Sequence, residues 1–144
     1  MTEVAFHFNV PDKLQYSCRL LRKAWGSGAR VVVTGEAETL RRLDQLLWTF
    51  AALEFVPHCQ LGAPAATVAA TPVLLADALD ACPHHEVLVN LGQEVPVGFE
   101  RFERFIELVT LADDDRAAAR NRWKHYTDCG YAMKRHDLAQ EARP

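Results

Sequence analysis

The sequence predicts an α/β fold in which a mostly parallel sheet is covered by helices. Two strand-like stretches, residues 4–8 and 30–34, are each followed by a stretch with apolar residues at three- and four-residue spacing, residues 14–25 and 38–50. Two strand–helix units in succession imply right-handed crossovers, which make the strands parallel and place helices over the sheet. The chain has 144 residues and 49% of them are apolar, so it is long enough to bury the core of one domain.

The first half of the chain has the clearest patterns. Residues 4–8 alternate around His7, as in a strand, and residues 14–25 carry one apolar stripe, as in an amphipathic helix. Gly26 and Gly28 end that helix, and three consecutive valines then indicate a buried parallel strand. We expect the second helix to cover residues 38–50.

The middle of the chain is less regular. Residues 53–58 indicate a short edge strand closed by a proline, and residues 60–71 form a loop rich in alanine and glycine. Residues 72–76 and 86–91 are further strand candidates, although residues 74–79 also fit a helical turn.

The last third predicts a helix, a final strand and a second helix. Residues 99–107 have helical spacing, residues 106–111 indicate the last strand, and residues 113–130 form a helix that closes the domain. We therefore expect one domain over residues 1–133, followed by a polar tail, residues 134–144, that frays.

Composition, charge and sequence pattern argue against several classes of protein. A formal net charge of −3 argues against a general nucleic-acid binder, which is usually strongly basic. No apolar run approaches the ~20 residues that span a bilayer, and the N-terminus lacks the pattern of a signal peptide. The four cysteines are scattered singly, which in a reducing compartment indicates free thiols. We expect a cytoplasmic protein that does not contact the membrane.

The predicted closing helix has charges sorted along its length. Three aspartates, residues 113–115, stand where a helix favours acids, and one of them can cap it. Arg116, Arg120 and Lys124 follow at a spacing of four, which makes one basic ridge, and Trp123 flanks it. This arrangement suits an extended acidic ligand that also carries an apolar residue. The alternative is a solvated basic face with Trp123 packed inward.

The sequence does not support nucleotide binding. Gly26 and Gly28 precede a strand, whereas a dinucleotide fingerprint follows a strand and opens a helix. Residues 34–36 do follow a strand, but they lack the glycine spacing and the lysine of a phosphate loop.

Enzyme and metal patterns are equally weak. The chain has only two serines and no Gly-x-Ser-x-Gly elbow, and no pair of acids is brought together by spacing. Five histidine and cysteine side chains could bind zinc, but their spacings match no zinc module. These side chains are His58, Cys59, Cys82, His84 and His85. The best candidate for a thiol nucleophile is Cys59, with His58 or His85 as its base. We expect no catalytic residues, no cofactor and no metal.

Four motifs in order along the chain resemble one known family, the chi subunit of bacterial DNA polymerase III. The motifs are Trp25-Gly-Ser-Gly28-Ala-Arg30-Val-Val-Val, Arg42-Leu-Asp44-x-x-Leu-Trp48, Phe55-Val-Pro57-His58 and Arg120-x-x-Trp123-Lys124-x-Tyr126-x-x-x-Gly130-Tyr131. The resemblance covers most of the chain and is poor only over residues 60–82. It implies a single-domain, Rossmann-like fold that binds no nucleotide and a noncatalytic accessory of the clamp-loader assembly.

The resemblance also implies two binding surfaces, the first for the acidic C-terminal tail of single-stranded DNA-binding protein (SSB). By position, the residues of this tail site are Arg116, Arg120, Trp123 and Lys124. The chain would then contact single-stranded DNA only indirectly, through SSB. Guanidinium and ammonium groups would meet the aspartates and terminal carboxylate of the tail, and an apolar notch would take its last phenylalanine. Val109 and Tyr131 are candidate walls of that notch.

Phe55 marks the second surface, which in this family holds the psi subunit. An exposed aromatic beside the turn at Pro57 would be an unusual loss of burial unless a partner covers it. The alternatives are a plain core role for Phe55 and an XPD-type helicase as the partner, and Trp48 could belong to either surface or to neither. Two rivals from other classes remain: a small α/β nucleotide-binding enzyme using residues 34–36, and direct binding of single-stranded DNA along the basic helix.

Overall fold

A computed structural model describes residues 1–50 and 55–141, which form a single sheet with helices on both faces. The strands are β1 (Glu3–Val10), β2 (Val31–Thr34), β3 (His58–Gln60), β4 (Val73–Leu75), β5 (Val87–Asn90), β6 (Arg104–Thr110) and β7 (Met133–Asp137). The helices are α1 (Lys13–Gly26), α2 (Ala37–Thr49), α3 (Ala65–Ala70), α4 (Asp113–Asp128) and α5 (Leu138–Glu141). No helix in these two ranges combines the length and the apolar character needed to cross a membrane.

The seven strands are all parallel and lie in the order β3-β4-β2-β5-β6-β1-β7. This arrangement confirms the predicted α/β fold, because parallel strands need crossovers and the crossovers carry the helices. β3 and β7 are the two edges, and β2 and β5 are neighbours near the middle.

Two apolar layers sandwich the sheet because successive strand residues face opposite sides. Val31 and Val33 of β2 pack in one cluster with Leu21 of α1 and Leu43 of α2. Val32 packs on the other face, in the cluster that also holds residues of α3 and α4. The predicted β1, α1, β2, α2 and α4 are therefore all confirmed, with small shifts at their ends.

The middle of the chain corrects two expectations. The expected loop over residues 60–71 contains α3, a short helix of alanines, threonine and valine that follows Pro64. The edge strand expected at residues 53–58 instead covers His58–Gln60, and residues 51–54 lie outside the described ranges. The strands at 72–76 and 86–91 are confirmed, so the alternative of a helical turn at 74–79 is wrong.

The prediction of a helix over residues 99–107 is also wrong. Only Phe99–Arg101 form a single 3₁₀ turn, and β6 begins at Arg104. Phe105 pairs with Val4 on one side and Leu88 on the other, so β6 is hydrogen-bonded along both edges. Pairing with two neighbours outweighs the helical spacing of the apolar residues.

The start of the segment that was expected to fray is a strand instead. Residues 133–137 form β7, which pairs in parallel with β1 from Val4 to Phe8, so β6 is not the last strand. Gly130, at φ +86°, follows α4 as a left-handed residue that ends the helix, and the chain then runs into β7. β7 is polar because it is an edge strand, with a neighbour on one side only. Charged side chains on such a strand discourage its free edge from pairing with another chain.

Candidate functional site

Helix α4 turns an unusually polar stripe toward the sheet. Four of its residues are buried and recur at spacings of three and four, namely Asp115, Ala119, Arg122 and Tyr126. Since these positions face inward, Arg116 and Arg120 lie on the exposed side of the same helix. Polar contacts inside the protein therefore set the direction in which the basic ridge points.

Glu107 of β6 is the centre of the inner contacts. Its carboxylate accepts hydrogen bonds from Arg122 Nε at 3.0 Å, the Tyr126 hydroxyl at 2.6 Å and Asn90 Nδ2 at 3.0 Å. Burial raises the pKa of Glu107 to about 7, while Arg122 and the hydrogen-bond donors act in the opposite direction. Arg122 also donates to the Gln93 carbonyl at 2.9 Å, so α4 is held both to β6 and to the loop that contains Gln93.

The start of α4 is held by a second buried acid. Asp115 accepts from the Thr110 amide at 2.8 Å, the Thr110 hydroxyl at 2.9 Å and Lys13 Nζ at 3.1 Å. Burial alone would raise the pKa of Asp115, but these contacts hold it below its ordinary value. The N-cap residue is Ala112, without a side-chain bond, so the predicted aspartate cap is wrong; instead the Asp114 carboxylate accepts from the Asp115 amide.

An apolar groove of about 390 Å³ lies between α4 and the edge of the sheet formed by β1 and β7. Its lining residues are Phe6, Phe8, Val109, Arg116, Ala119, Arg120, Trp123 and Arg135. We call this hollow the basic groove. Its volume is within the range of known small-ligand pockets.

The wall of the basic groove is aromatic. The rings of Phe6 and Trp123 meet edge to face with centroids 5.1 Å apart. Trp123 is half-buried: it packs against the core and also lines the groove, so it is neither fully inward nor fully exposed. The Arg135 guanidinium lies 5.1 Å from the Phe8 ring centroid and 5.9 Å from that of Trp123.

The rim of the basic groove carries three guanidinium groups. Arg116, Arg120 and Arg135 are all exposed, and none forms an ion pair with any residue in the ranges 1–50 and 55–141. Lys124 differs, because it does not line the groove and its ammonium lies 4.0 Å from the Asp128 carboxylate on the same helix. The structure thus brings together three of the four predicted tail-site residues, Arg116, Arg120 and Trp123.

The two candidate walls have different positions. Val109 lines the basic groove, whereas Tyr131 lies outside it and packs on Phe99 with ring centroids 5.2 Å apart. Arg135 and Phe8 are additional groove residues that the sequence analysis did not identify. The sequence carries no pattern that identifies Arg135, because four of the five residues of β7 are charged or polar.

A second exposed feature is an aromatic pair at the other edge of the sheet. Phe55 is 43% exposed and Trp48 is 62% exposed, and their rings stack with centroids 4.8 Å apart. Phe55 is therefore not a core residue. The buried His58 packs against the pair, with its ring centroid 5.4 Å from the centroid of each of the two rings. The Nε2 atom of His58 lies 3.0 Å from Asp44 Oδ1.

A cavity larger than the basic groove lies at neither of these features. It has about 750 Å³ and opens at the carboxyl ends of β2 and β5. Its lining residues are Thr34, Gly35, Glu36, Asp77, Ala78, Leu79, Asp80, Asn90, Gly92, Gln93, Glu94, Val95, Pro96, Val97, Gly98, Arg101 and Ala118. We call it the acidic cleft. The basic groove is the better candidate for an acidic peptide despite its smaller volume, because its charges have the complementary sign.

The described residues contain no group of three or more His, Cys, Asp or Glu side chains placed to hold a metal ion. Cys18 and Cys82 are buried, and burial raises the pKa of both thiols, that of Cys18 to about 11. Two of the four cysteines are therefore protonated, packed side chains at neutral pH.

Comparison with known proteins gives consistent results. The sequence profile of the family described as DNA polymerase III chi subunit, HolC, matches residues 1–134. A Pseudomonas aeruginosa protein named DNA polymerase III subunit chi is 35% identical over 144 residues, which cover 96% of this chain and 98% of the relative. Two relatives with the same name are 31% identical (Haemophilus influenzae) and 29% identical (Escherichia coli). These alignments cover 76% and 83% of this chain, and 76% and 81% of the relatives.

Proposed function

The chain belongs to the DNA polymerase III chi subunit family, and we propose that it acts there as a noncatalytic adaptor that binds the acidic C-terminal tail of SSB. The tail would occupy the basic groove and so tether the clamp-loader assembly to SSB-coated single strands. The observation that carries this proposal is a set of three guanidinium groups, none of them in an ion pair with a described residue, around a hollow with aromatic walls.

The chemistry of the groove matches both parts of such a tail. Arg116 and Arg120 on α4 and Arg135 on β7 approach the hollow from two sides, so carboxylates of an extended peptide would meet donors along its length. The hollow beside Trp123 would take the terminal phenylalanine, where ring–ring contact adds to apolar burial. Lys124, on the outer side of the ridge, would contribute longer-range attraction, since its ammonium also faces Asp128.

The stacked pair of Trp48 and Phe55 supports a second partner. Two large rings exposed together on the surface form an apolar patch of the kind that protein interfaces cover. We assign this patch to the psi subunit, with an XPD-type helicase as the alternative partner. An adaptor needs two such surfaces, one for each protein that it joins.

Replacing Arg120 by Glu tests the tail site. The change puts a carboxylate on the rim where the tail carries its own negative charges, so binding of a synthetic SSB tail peptide should be lost. Arg120 is exposed and has no ion pair with a described residue, so the free energy of unfolding should change by less than about 0.5 kcal/mol. Fluorescence anisotropy with a labelled peptide measures the first effect and thermal denaturation the second.

Arg19→Glu provides the matched control, because Arg19 is an exposed arginine on α1, on the opposite face of the sheet. It should leave the affinity for the tail peptide near that of the wild type, and wild-type affinity should fall as salt is added. Unchanged affinity in Arg120→Glu, or an equal loss in both variants, would contradict the assignment of the tail to this groove.

A further inference from the structure

The acidic cleft lies at the position where parallel α/β sheets most often bind ligands. β2 and β5 are hydrogen-bonded neighbours, yet the chain continues from β2 toward β3 and from β5 toward β6, on opposite sides of that pair. The loops that follow the two strands therefore diverge and leave a crevice between them. Because the SSB tail is assigned to the basic groove, this crevice is not used by the proposed function.

The cleft has a preformed wall. Asn90, at the end of β5, accepts from the Gly92 amide at 2.9 Å and donates to the Glu94 carbonyl at 3.2 Å. The same side chain donates to buried Glu107, so the loop is tied to the core. The loop that forms one side of the cleft is thus held in shape without a ligand.

The floor of the cleft has unused hydrogen-bonding groups. Thr34 is only 5% exposed and lines the cleft, yet its hydroxyl has no hydrogen-bond partner in the part of the chain that the structure describes. The oxygen of this hydroxyl is accessible from the cleft, so it can form a hydrogen bond with a ligand that binds there. Beside it, α2 begins at Ala37, and its N-cap residue Glu36 makes no side-chain capping bond, which leaves helix amides open to acceptors.

The mouth of the cleft is negatively charged. Glu36, Asp77, Asp80 and Glu94 are exposed, and none forms an ion pair with a described residue. Arg101 is the single basic residue among those that line the cleft. Four like charges around one opening repel each other, and a cationic ligand would relieve that repulsion.

We propose that the acidic cleft is a docking site for an extended, lysine- or arginine-bearing peptide segment of a partner protein. The basic side chains would pair with the carboxylates at the mouth, and carbonyl groups of the peptide would accept from Thr34 and from the first amides of α2. Val97, 92% exposed on the loop over the cleft, would pack on an apolar residue of the segment. A peptide supplies all three features, cations, carbonyls and apolar groups, whereas a nucleotide would bring phosphates toward four carboxylates.

A short fluorescent peptide of alternating lysine and valine, titrated into the full chain, is the probe. Saturable binding is expected, and the double variant Asp77→Asn with Glu94→Gln should raise its Kd by about tenfold. Thr34→Val keeps the β-branched shape and removes only the hydroxyl, and it should raise the Kd by about threefold to fivefold. Binding of the SSB tail peptide to the basic groove should be unchanged in both variants, so the two sites are tested separately.

The double variant Glu103→Gln with Asp113→Asn removes the same charge from exposed acids that do not line the cleft. It should change the Kd of the lysine–valine peptide by less than about twofold. An equal loss in both double variants would show diffuse charge attraction and overturn the proposal, as would wild-type affinity in Thr34→Val. Spermidine binding as tightly as the peptide would overturn it too, since the cleft would then be a site for small polyamines.

Discussion

A buried carboxylate, rather than any exposed residue, orients the basic groove. Glu107 binds Arg122 and Tyr126, which lie four residues apart on α4 and so fix the rotation of the helix about its axis. Arg116 and Arg120 gain their outward direction from those contacts. The charge run of α4 in the sequence therefore mixes two kinds of arginine, one that binds the core and one that faces solvent.

Arg122→Met should destabilise the protein by about 3–5 kcal/mol, because it leaves the Glu107 carboxylate buried without its cation. The loss should depend on pH. The folded-state pKa of Glu107 lies above the ordinary value of 4.5, so its favourable contribution is present below pH 4.5 and is lost as pH rises through about 7. Without Arg122 that pKa rises further, so the deficit in unfolding free energy should be smaller at pH 5 than at pH 8. Urea unfolding at the two pH values measures it.

Arg116→Met is the control for this measurement, since the same substitution at an exposed arginine should cost less than about 0.5 kcal/mol at either pH. Glu107→Gln combined with Arg122→Met should recover part of the loss, because no charge is then buried. An equal deficit at pH 5 and pH 8 would show that Arg122 acts through packing rather than through its charge.

At the scale of elements, the basic groove depends on β7 as much as on α4. β7 pairs with β1, and its alternation sends Arg135 toward the groove and Lys134 to the opposite face, where Lys134 pairs with Glu3. Two adjacent cations on one strand therefore have different roles. The strand adds a third guanidinium that faces the hollow across from α4.

Arg135→Ala should raise the Kd for the SSB tail peptide by about fivefold to tenfold, because it removes one charge-assisted donor and the cation over Phe8 and Trp123. Lys134→Ala removes the same charge from the neighbouring residue and should leave the Kd nearly unchanged. Anisotropy titrations of the two variants side by side make the comparison. Equal effects would mean that β7 contributes only general positive charge.

The sequence predicts those elements whose pattern agrees with their environment. α1 and α2 carry one apolar stripe each, and three valines mark β2 because that strand is buried on both faces. β7 has five residues of which four are charged or polar, so nothing in its composition distinguishes it from a tail. Its pairing with β1 is a long-range contact, and local periodicity does not report such contacts.

The residues of the candidate site also fall into those that the sequence predicts and those that it does not. The ridge of Arg116 and Arg120 and the adjacent Trp123 follow from helical spacing alone. Phe8 and Arg135 join them only because β1 and β7 are neighbours in space, although the two residues are 127 positions apart in the sequence. Lys124 keeps the spacing of the ridge but lies beyond the groove, since each step of four residues also advances along the helix axis.

At the scale of the whole molecule, three surface features are distributed over one small sheet. The basic groove lies at the β7 edge, the pair of Trp48 and Phe55 lies beside the β3 edge, and the acidic cleft opens between them at the ends of β2 and β5. The net charge of −3 conceals this division into basic and acidic regions. Seven strands at ~4.8 Å spacing separate the two edges by roughly 29 Å, which leaves room for two partners at once.

Because of that separation, a substitution in one proposed partner surface should weaken binding of that partner and leave binding of the other unchanged. Phe55→Ala removes one ring of the exposed stack and should disrupt co-purification with a co-expressed psi subunit or XPD-type helicase, since exposed aromatic anchors carry much of the energy of an interface. The same variant should bind the SSB tail peptide with wild-type affinity, and Arg120→Glu should show the converse pattern. Phe99→Ala is unsuitable as a control because Phe99 is buried, whereas Leu111→Ala removes an exposed apolar side chain elsewhere. Leu111→Ala should retain the second partner. If Phe55→Ala retains that partner as well, Phe55 lies outside the interface. If Phe55→Ala also weakens binding of the tail peptide, the two surfaces are coupled and the adaptor is not built from independent sites.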